Sequence, residues 1–221
     1  MDATIYSVTP RDKNWPALLC EIPEKAKPKK LFVKGILPPA DALVISIVGT
    51  RKPTSYGREL ASQIVRALSP FRVVIASGMA IGIDAVAHRT ALEVKLPTLA
   101  ILGCGLDENV IYPKINLALS RDIISRGGAL LSEYEPDKKP ELWTFPERNR
   151  IIAGIAHALI VVEAGEKSGA LITARFALEF GRNVYALPGP IWHSQSHGTN
   201  ALIKEGATPI TTLDDLIEDL G

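Results

Sequence analysis

Short apolar runs alternate with helical patterns along the chain from residue 43 onward. The runs have the length of strands and fall at residues 43–48, 72–76, 98–102, 129–131, 158–162 and 183–187. Runs rich in Val and Ile that bury both faces are typical of strands in parallel sheets. Because helical patterns separate the runs, the sequence predicts an α/β fold with a doubly wound, mostly parallel sheet and right-handed crossovers.

Each helical pattern carries one apolar stripe. Apolar residues recur at helical spacing first at Leu60, Ile64 and Leu68, and then at Ile83, Ala87, Ala91 and Val94. A later helix is expected between Ser168, which is a good N-cap, and Gly181, which suits the position after a last helical turn.

The first 42 residues have a different composition from the rest. They contain six prolines and a cluster of lysines at Lys25, Lys27, Lys29, Lys30 and Lys34. Only residues 31–33 have the pattern of a strand there. We therefore expect residues 1–42 to form an arm packed on the core and residues 43–221 to form the main domain.

The overall composition limits the possible functions. Hydrophobic residues make up 47% of the 221 residues and charged residues 22%, with a net charge of +1. These values are ordinary for a globular protein, so a site for a polyanion has to be a local patch. Cys20 and Cys104 give neither a disulfide framework nor a metal-binding spacing, which favours a reducing compartment. No apolar run approaches the ~20 residues of a membrane span and no signal peptide is recognisable, so we expect a cytoplasmic protein without membrane contact.

The segments that follow the predicted strands are small, turn-forming or polar. They are Gly49-Thr50-Arg51-Lys52, Ser77-Gly78, Gly103-Cys104-Gly105, Ser132-Glu133-Tyr134, Glu163-Ala164-Gly165 and Pro188-Gly189-Pro190. The carboxyl ends of parallel strands lie along one edge of an α/β sheet, where ligands bind. Six such segments predict a binding crevice along that edge, with Arg51 and Lys52 placed to hold a phosphate or another anion.

Residues 77–84 are expected to open a helix with small residues. Ser77, Gly78 and Gly82 would leave backbone N–H groups free at the helix N-terminus, which is an anion site by geometry and by the helix dipole. The alternative is that Gly78 and Gly82 only permit close packing of the helix on the sheet.

A second helix begins in the same way. Ser168 and Gly169 precede its first turn, and Arg175 lies two turns further on. Arg175 is the weaker candidate for an anion site, because it could equally face solvent or pair with Glu179 at the i+4 position.

Residues 145–150 bring an aromatic ring and two arginines into one first helical turn. Arg148 and Arg150 there oppose the helix dipole, which an incoming anion would explain. The alternative is that one of them pairs with a carboxylate, for which the candidates are Glu147, Glu133 and Glu163. Phe145 could stack on a nucleobase or could belong to the core.

The chain lacks the common catalytic and cofactor signatures. It has no dinucleotide G-x-G-x-x-G, no phosphate-binding G-x-x-x-x-G-K-[ST] and no G-x-S-x-G. Asp84 and His88 stand at i and i+4 and could hold a metal or move a proton, but a third ligand at suitable spacing is missing. A helix-capping Asp beside a hydrogen-bonded His is the favoured interpretation. We therefore predict no cofactor, no metal and no catalytic residue.

An ordered series of motifs resembles the DprA/Smf (DNA-processing protein A) family. The motifs are GTRKPTSYG, SGMAIGIDAVAH, LGCGLDENVIYP, LLSEY, FPERNRIIAG, VVEAGEKSGALITA, GRNVYALPG and HGTNALIKEGA, and the match runs from about Trp15 to the end. The resemblance implies an extended Rossmann-type fold, with residues 43–221 as a DNA-binding domain. It further implies a protein that binds single-stranded DNA, and duplex DNA more weakly. Such mediators protect incoming strands in natural transformation, help to load the RecA recombinase and often form homodimers.

The resemblance also places the candidate DNA contacts. Gly49-Thr50-Arg51 corresponds to the family's G-[ST]-R loop, and Phe145 to Arg150 to its F-P-x-R-N-R segment. Together with the residues singled out above, the candidate contacts are Gly49, Thr50, Arg51, Lys52, Ser77, Gly78, Gly82, Phe145, Arg148, Asn149, Arg150, Ser168, Gly169 and Arg175. The extra helical and winged-helix-like domains of fuller members are expected to be absent from this chain.

Two alternative functions would use the same crevice. One is a nucleotide-processing enzyme similar to the LOG family of phosphoribohydrolases, and the other is a small-nucleotide sensor without turnover. The P-G-G-x-G-T-x-x-E signature of the LOG family is absent; the matching region is EAGEKSGALITA, with Glu163 and Glu166 close by.

Overall fold

The computed structural model describes residues 3–220, which form one nine-stranded sheet with helices on both faces. The strands are β1 (Ile5–Val8), β2 (Leu31–Gly35), β3 (Leu43–Val48), β4 (Val73–Ser77), β5 (Thr98–Ile101), β6 (Ala129–Ser132), β7 (Ala158–Val161), β8 (Asn183–Ala186) and β9 (Thr208–Pro209). The helices are α1 (Ser55–Ala67), α2 (Ile83–Glu93), α3 (Leu117–Ser125), α4 (Thr144–Gly154), α5 (Gly169–Glu179), α6 (His197–Lys204) and α7 (Leu213–Leu220). Residues 1–2 and 221, the outer limits of the two predicted segments, lie outside the described residues.

The sheet confirms the predicted α/β class. Its strand order is β1-β2-β6-β5-β4-β3-β7-β8-β9, and the six predicted apolar runs are the strands β3 to β8, which are all parallel. From β3 the chain builds outward through β4, β5 and β6, and then returns to the other side of β3 with β7. The order therefore reverses between β3 and β7, and ligands of open α/β sheets bind at such switch points.

The two faces of the sheet have separate cores. Ile45 and Ile47 belong to the cluster that packs under α1, α2 and α7. Val44 and Val48 alternate with them and pack on the opposite face, under α4 and α5. This alternation follows from the two-residue repeat of a strand, and burial on both faces explains why β3 is apolar almost throughout.

The N-terminal segment joins the same sheet. β1 and β2 form an antiparallel pair, and β2 pairs antiparallel with β6. Trp15, Leu19 and Ile22 are buried in the core under α4 and α5. The sequence predicted a strand only around residues 31–33; β1 has just four residues with two exposed side chains, too weak a pattern to detect. The domain boundary near residue 42 stays a prediction.

The predicted ends of α5 are confirmed. The Ser168 hydroxyl accepts a hydrogen bond from the backbone N–H of Ala170 at 3.3 Å. Gly181 follows the helix with φ at +68°, the left-handed conformation in which glycine lacks the steric penalty of other residues.

Candidate functional site

An open crevice of about 630 Å³ lies at the switch point. It is bordered by the loops that follow β3 and β7 and by the first turns of α4 and α5. We call it the switch-point crevice. It brings together nine of the residues predicted from the sequence, namely Gly49, Thr50, Arg51, Lys52, Phe145, Arg148, Asn149, Ser168 and Gly169.

Three exposed cations border the switch-point crevice. Arg51 and Lys52 follow β3, and Lys167 follows β7. Within residues 3–220, none of the three comes within 4.0 Å of a carboxylate oxygen. Their charges are therefore available to an anionic ligand.

Glu163 fixes the loop that carries Arg51. Its backbone carbonyl accepts a hydrogen bond from the N–H of Thr50 at 2.7 Å. Its carboxylate accepts one from the N–H of Thr54 at 2.9 Å and one from the Thr54 hydroxyl at 2.6 Å. The side chain is buried beside the N-terminus of α1, where the helix dipole favours a negative charge. Arg51 is thus presented from a loop that is held at both ends.

Phe145 offers an aromatic surface beside Arg51. The ring is half-buried and its centroid lies 5.6 Å from that of Tyr112. The Arg51 guanidinium carbon lies 5.9 Å from the Phe145 centroid, within the range of a cation–π contact. Phe145, Tyr112 and Arg51 also line a smaller pocket of about 50 Å³ next to the crevice. An aromatic face and a free cation therefore adjoin at this end of the crevice.

Arg148 borders the crevice, but its guanidinium is engaged within the fold. Nη1 donates hydrogen bonds to the carbonyl oxygen of Gly78 at 2.8 Å and to that of Ile101. Nε donates to the Asn149 side-chain oxygen at 3.3 Å. The residue is only 6% exposed, and this burial lowers its pKa to about 10 although Asp84 opposes the change. Arg148 ties the ends of β4 and β5 to α4.

Arg150 and Arg175 lie outside the lining of the crevice. Arg150 forms an ion pair with Glu133 at 2.5 Å, which is one of the pairings left open by the sequence. Burial raises the pKa of Glu133. Arg175 is exposed on α5, and its neighbour Glu179 pairs with Lys25 instead. The structure therefore separates these two arginines from the other candidates.

The expectation of free N–H groups at the start of α2 is corrected by the structure. Asp84 Oδ2 accepts hydrogen bonds from the N–H groups of Gly78 at 3.1 Å and Ala80 at 3.3 Å. The N–H of Ile83 donates to the Thr50 carbonyl at 3.2 Å. Asp84 thus folds back onto the preceding loop and occupies two of these donors, and the Thr50 carbonyl occupies the third. Burial raises the pKa of the Asp84 carboxyl.

Ser77 and Gly82 serve the packing of this region. The buried Ser77 hydroxyl donates to the Ile47 carbonyl at 2.6 Å. Gly82 has φ at +89°, and a Cβ there would lie 2.3 Å from the Thr50 carbonyl oxygen. Neither residue lines the crevice, and for Gly82 the close approach to Thr50 agrees with the packing alternative.

The N-terminus of α5 is open to the crevice. Gly169 is exposed, and no neighbouring atom lies within 4 Å of the position that a Cβ would take. The Asn149 side chain donates to the Gly169 carbonyl at 3.2 Å and so links α4 to this helix start. Ser168 accepts hydrogen bonds from the N–H of Ala170 and from that of Leu171, so this helix end offers the N–H of Gly169 to an anion, with Lys167 alongside.

Lys167, Tyr112 and Gln195 are among the lining residues that the sequence did not mark as candidate contacts. Lys167 stands between the loop after β7 and the predicted N-cap Ser168, and that position was a usable signal. Tyr112 lies in the loop between β5 and α3, and Gln195 in the loop between β8 and α6. Nothing in their local pattern distinguishes them, because their place at the crevice depends on how distant loops fold back.

His88 is part of the packed interior. Its Nδ1 lies 2.7 Å from the Thr98 hydroxyl oxygen. Burial lowers the pKa of His88 to about 3, so the ring is neutral at physiological pH. No group of three or more His, Cys, Asp or Glu side chains with metal-binding geometry occurs in residues 3–220. In the same part of the chain, no helix has the length and apolar character needed to cross a membrane.

Comparison with known proteins gives consistent matches over this fold. The profile of the DNA recombination-mediator protein A family matches residues 6–221. Protein Smf of Escherichia coli K12 is 43% identical over 193 residues, which cover 87% of this chain and 51% of that protein. This chain spans about half the length of such curated relatives.

Two solved structures share the architecture. DNA processing protein A from Streptococcus pneumoniae is 39% identical, with a TM-score of 0.89 over 97% of this chain and 74% of that one. DNA processing protein A from Helicobacter pylori is 31% identical, with a TM-score of 0.85 over 100% of this chain and 98% of that one. The chain belongs to the DNA recombination-mediator protein A family.

Proposed function

We propose that this protein binds single-stranded DNA in the switch-point crevice and acts as a recombination mediator without a chemical step. The observation that carries the proposal is the combination of three unpaired cations with an aromatic face in one open crevice. Arg51, Lys52 and Lys167 would neutralise backbone phosphates, and the Gly169 N–H at the start of α5 would donate a hydrogen bond to a further phosphate.

A single strand needs contacts for its bases as well as its phosphates. Phe145 and Tyr112 present rings beside Arg51, and a base of any sequence can stack on such rings. A duplex keeps its bases inside and would use only the cations. This difference favours single strands over duplex DNA.

Relatives support the same conclusion. The Helicobacter pylori DNA processing protein A binds single-stranded DNA, and it covers the whole of this chain. We extend the proposal to the family role: a cytoplasmic homodimer that protects incoming DNA during natural transformation and helps to load RecA.

An enzymatic use of the crevice has less support. Glu163, the carboxylate nearest to the LOG-like signature position, is buried and accepts two hydrogen bonds from Thr54. Glu163 therefore holds the Arg51 loop. A general base has to reach its substrate, so this buried carboxylate is poorly placed for that role. Glu166 is exposed and lies within ion-pair distance of His197.

Fluorescence anisotropy with matched single-stranded and duplex oligonucleotides tests the proposal. We expect tighter binding of the single strand, with affinity that falls as salt is raised from about 50 to about 200 mM. Equal or stronger binding of the duplex, or no binding at all, would contradict it. Incubation with nucleoside monophosphates tests the enzyme in parallel, since release of free base would support that alternative. Calorimetry with the same nucleotides would reveal a sensor.

A further inference from the structure

Trp192 is the most exposed aromatic side chain among residues 3–220. It is 83% exposed, and its neighbour Ile191 is 80% exposed. The other tryptophans differ: Trp15 is 4% exposed in the core, and Trp143 is 52% exposed, with its indole N–H donating to Glu141. An indole ring held almost fully in water calls for an explanation in terms of a ligand.

The loop that carries Trp192 is well anchored. The Gly189 N–H donates to the Asn200 side-chain oxygen at 3.1 Å, and the Asn200 side-chain NH₂ group donates to the Gly189 carbonyl at 2.9 Å. The His193 N–H donates to the Pro190 carbonyl at 3.0 Å and closes a turn around the tryptophan. The backbone therefore presents Trp192 in a defined position, and exposure does not come from a loose loop.

The same loop reaches the switch-point crevice. Gln195 lines the crevice, and its carbonyl accepts a hydrogen bond from the N–H of Ala164 at 2.8 Å. Trp192 precedes Gln195 by three residues, so their Cα atoms are at most about 11 Å apart. Lys167, which pairs with no carboxylate among residues 3–220, also lines the crevice, and a Cβ at nearby Gly165 would lie 3.3 Å from the Ser194 carbonyl oxygen. The loop that carries Trp192 thus adjoins the segment after β7 that carries Lys167.

We propose that Trp192 is a second base-stacking site, which binds a nucleobase of single-stranded DNA beyond the switch-point crevice. This inference rests on the proposed function. Phe145 stacks a base beside Arg51, Lys167 contacts a phosphate, and Trp192 stacks the next accessible base outside the crevice. An indole face suits this role because every base can stack on it.

A contact between two copies of this chain is the competing use of the loop. A stable interface buries about 800 Å² on each partner, whereas one aromatic side chain supplies about 150–250 Å². Ile191 and Trp192 alone fall well short of that area. The nearby polar groups, His193, Ser194 and Lys167, also fit a nucleic acid better than an apolar interface.

Tryptophan emission tests the inference directly. In a Trp143→Phe protein, Trp192 is the exposed tryptophan of the described residues, and Trp15 is shielded in the core. Oligothymidylates of about 4 to about 16 nucleotides cover the site sizes of single-strand binding domains. We expect short oligomers to bind without quenching Trp192 and longer ones to quench it. Trp192→Ala should weaken binding of the longer oligomers by about 5- to 100-fold, and Trp192→Phe should restore most of it.

The outcomes separate this inference from the proposed function. One outcome would overturn the stacking site alone. In it, oligomers of every length bind in a manner that depends on Arg51, Trp192 emission is not quenched, and Trp192→Ala binds DNA as tightly as the parent protein. A Trp192→Ala protein that changes its oligomeric state in light scattering but keeps its DNA affinity would also overturn the stacking site. Absence of binding at every length would overturn both. Circular dichroism confirms that each variant is folded.

Discussion

Arg148 and Asp84 hold the same residue, Gly78, from its two sides. The guanidinium donates to the Gly78 carbonyl at 2.8 Å, and the carboxylate accepts from the Gly78 N–H at 3.1 Å. A Cβ at Gly78 would lie 2.8 Å from Nη2 of Arg148 and 2.8 Å from Oδ2 of Asp84. The residue after β4 is thus clamped between opposite charges beneath the crevice, and a side chain at Gly78 would displace the two groups that clamp it.

Replacing Arg148 by Met should lower the free energy of unfolding by about 2–4 kcal/mol, because Asp84 and two carbonyl groups would lose a buried partner. Urea unfolding followed by circular dichroism measures the change. Arg175→Met removes an exposed arginine of the same size and should stay within about 0.5 kcal/mol of the wild type. A stable Arg148→Met protein that has lost DNA binding would instead make Arg148 a direct DNA contact.

Replacing Arg51 by Ala should weaken binding of single-stranded DNA of any sequence. One lost phosphate contact reduces the slope of log affinity against log salt by about 0.7 for single strands. Anisotropy titrations at several salt concentrations measure both quantities. Arg58→Ala is the matched control, since Arg58 is exposed on α1 outside the crevice lining. Equal losses in the two variants would indicate a general charge effect and would argue against a phosphate contact at Arg51.

Replacing Phe145 by Ala should cost about 1–3 kcal/mol of binding free energy for single-stranded DNA, the usual value of one base–aromatic stack. Phe145→Tyr keeps the ring and should bind nearly as well as the wild type. The same titrations with a duplex provide the contrast, because a duplex offers no base to stack. If Phe145→Ala weakened duplex binding as strongly, the ring would act by supporting Arg51, which lies 5.9 Å away.

Elements with strong local patterns could be predicted from the sequence. Strand β3 is apolar because both its faces are buried, and α5 lies between its N-cap Ser168 and Gly181, whose capping geometry is local. The position of Arg51 at the crevice could also be predicted from the sequence, because the carboxyl ends of the strands in a parallel sheet share one edge. These features depend on neighbours in the chain or on the general rules of the fold.

The partners of charged side chains could not be predicted in the same way. Arg148 and Arg150 are two residues apart in α4, so they leave the helix on different sides. One is clamped over Gly78 and the other pairs with Glu133, and both partners come from distant parts of the chain. Asp84 likewise occupies the N–H groups that the sequence left free for an anion. Such outcomes depend on tertiary packing, which spacing alone does not contain.

Stability should fall as the pH is lowered below about 6.5, in part because of His88. Its pKa is about 3 in the folded protein, against 6.5 as its ordinary value, so the unfolded chain binds the extra proton in this window. The contribution is at most about 1.4 kcal/mol per pH unit. The Thr98 hydroxyl donates to the Ile75 carbonyl at 2.8 Å, so its oxygen accepts from His88 Nδ1–H. His88→Asn keeps a donor there and should flatten the dependence in urea unfolding at several pH values. Parallel curves for the two proteins would rule out this origin.

Replacing Glu163 by Gln should destabilise the protein and loosen the Arg51 loop together. The carboxylate accepts from both the N–H and the hydroxyl of Thr54, whereas an amide would turn its NH₂ group toward one of these donors. We expect a loss of about 1–3 kcal/mol in the free energy of unfolding, as for hydrogen bonds to charged groups.

Glu166→Gln is the control for this change, because its side chain is 76% exposed and three residues away. It should stay within about 0.5 kcal/mol of the wild type. DNA affinity should fall in Glu163→Gln and not in Glu166→Gln, since only Glu163 fixes the loop that presents Arg51. An enzyme would behave differently: loss of a catalytic carboxylate would leave stability unchanged or raised and would abolish release of base from nucleoside monophosphates. The pair of variants therefore distinguishes a loop support from a catalytic group.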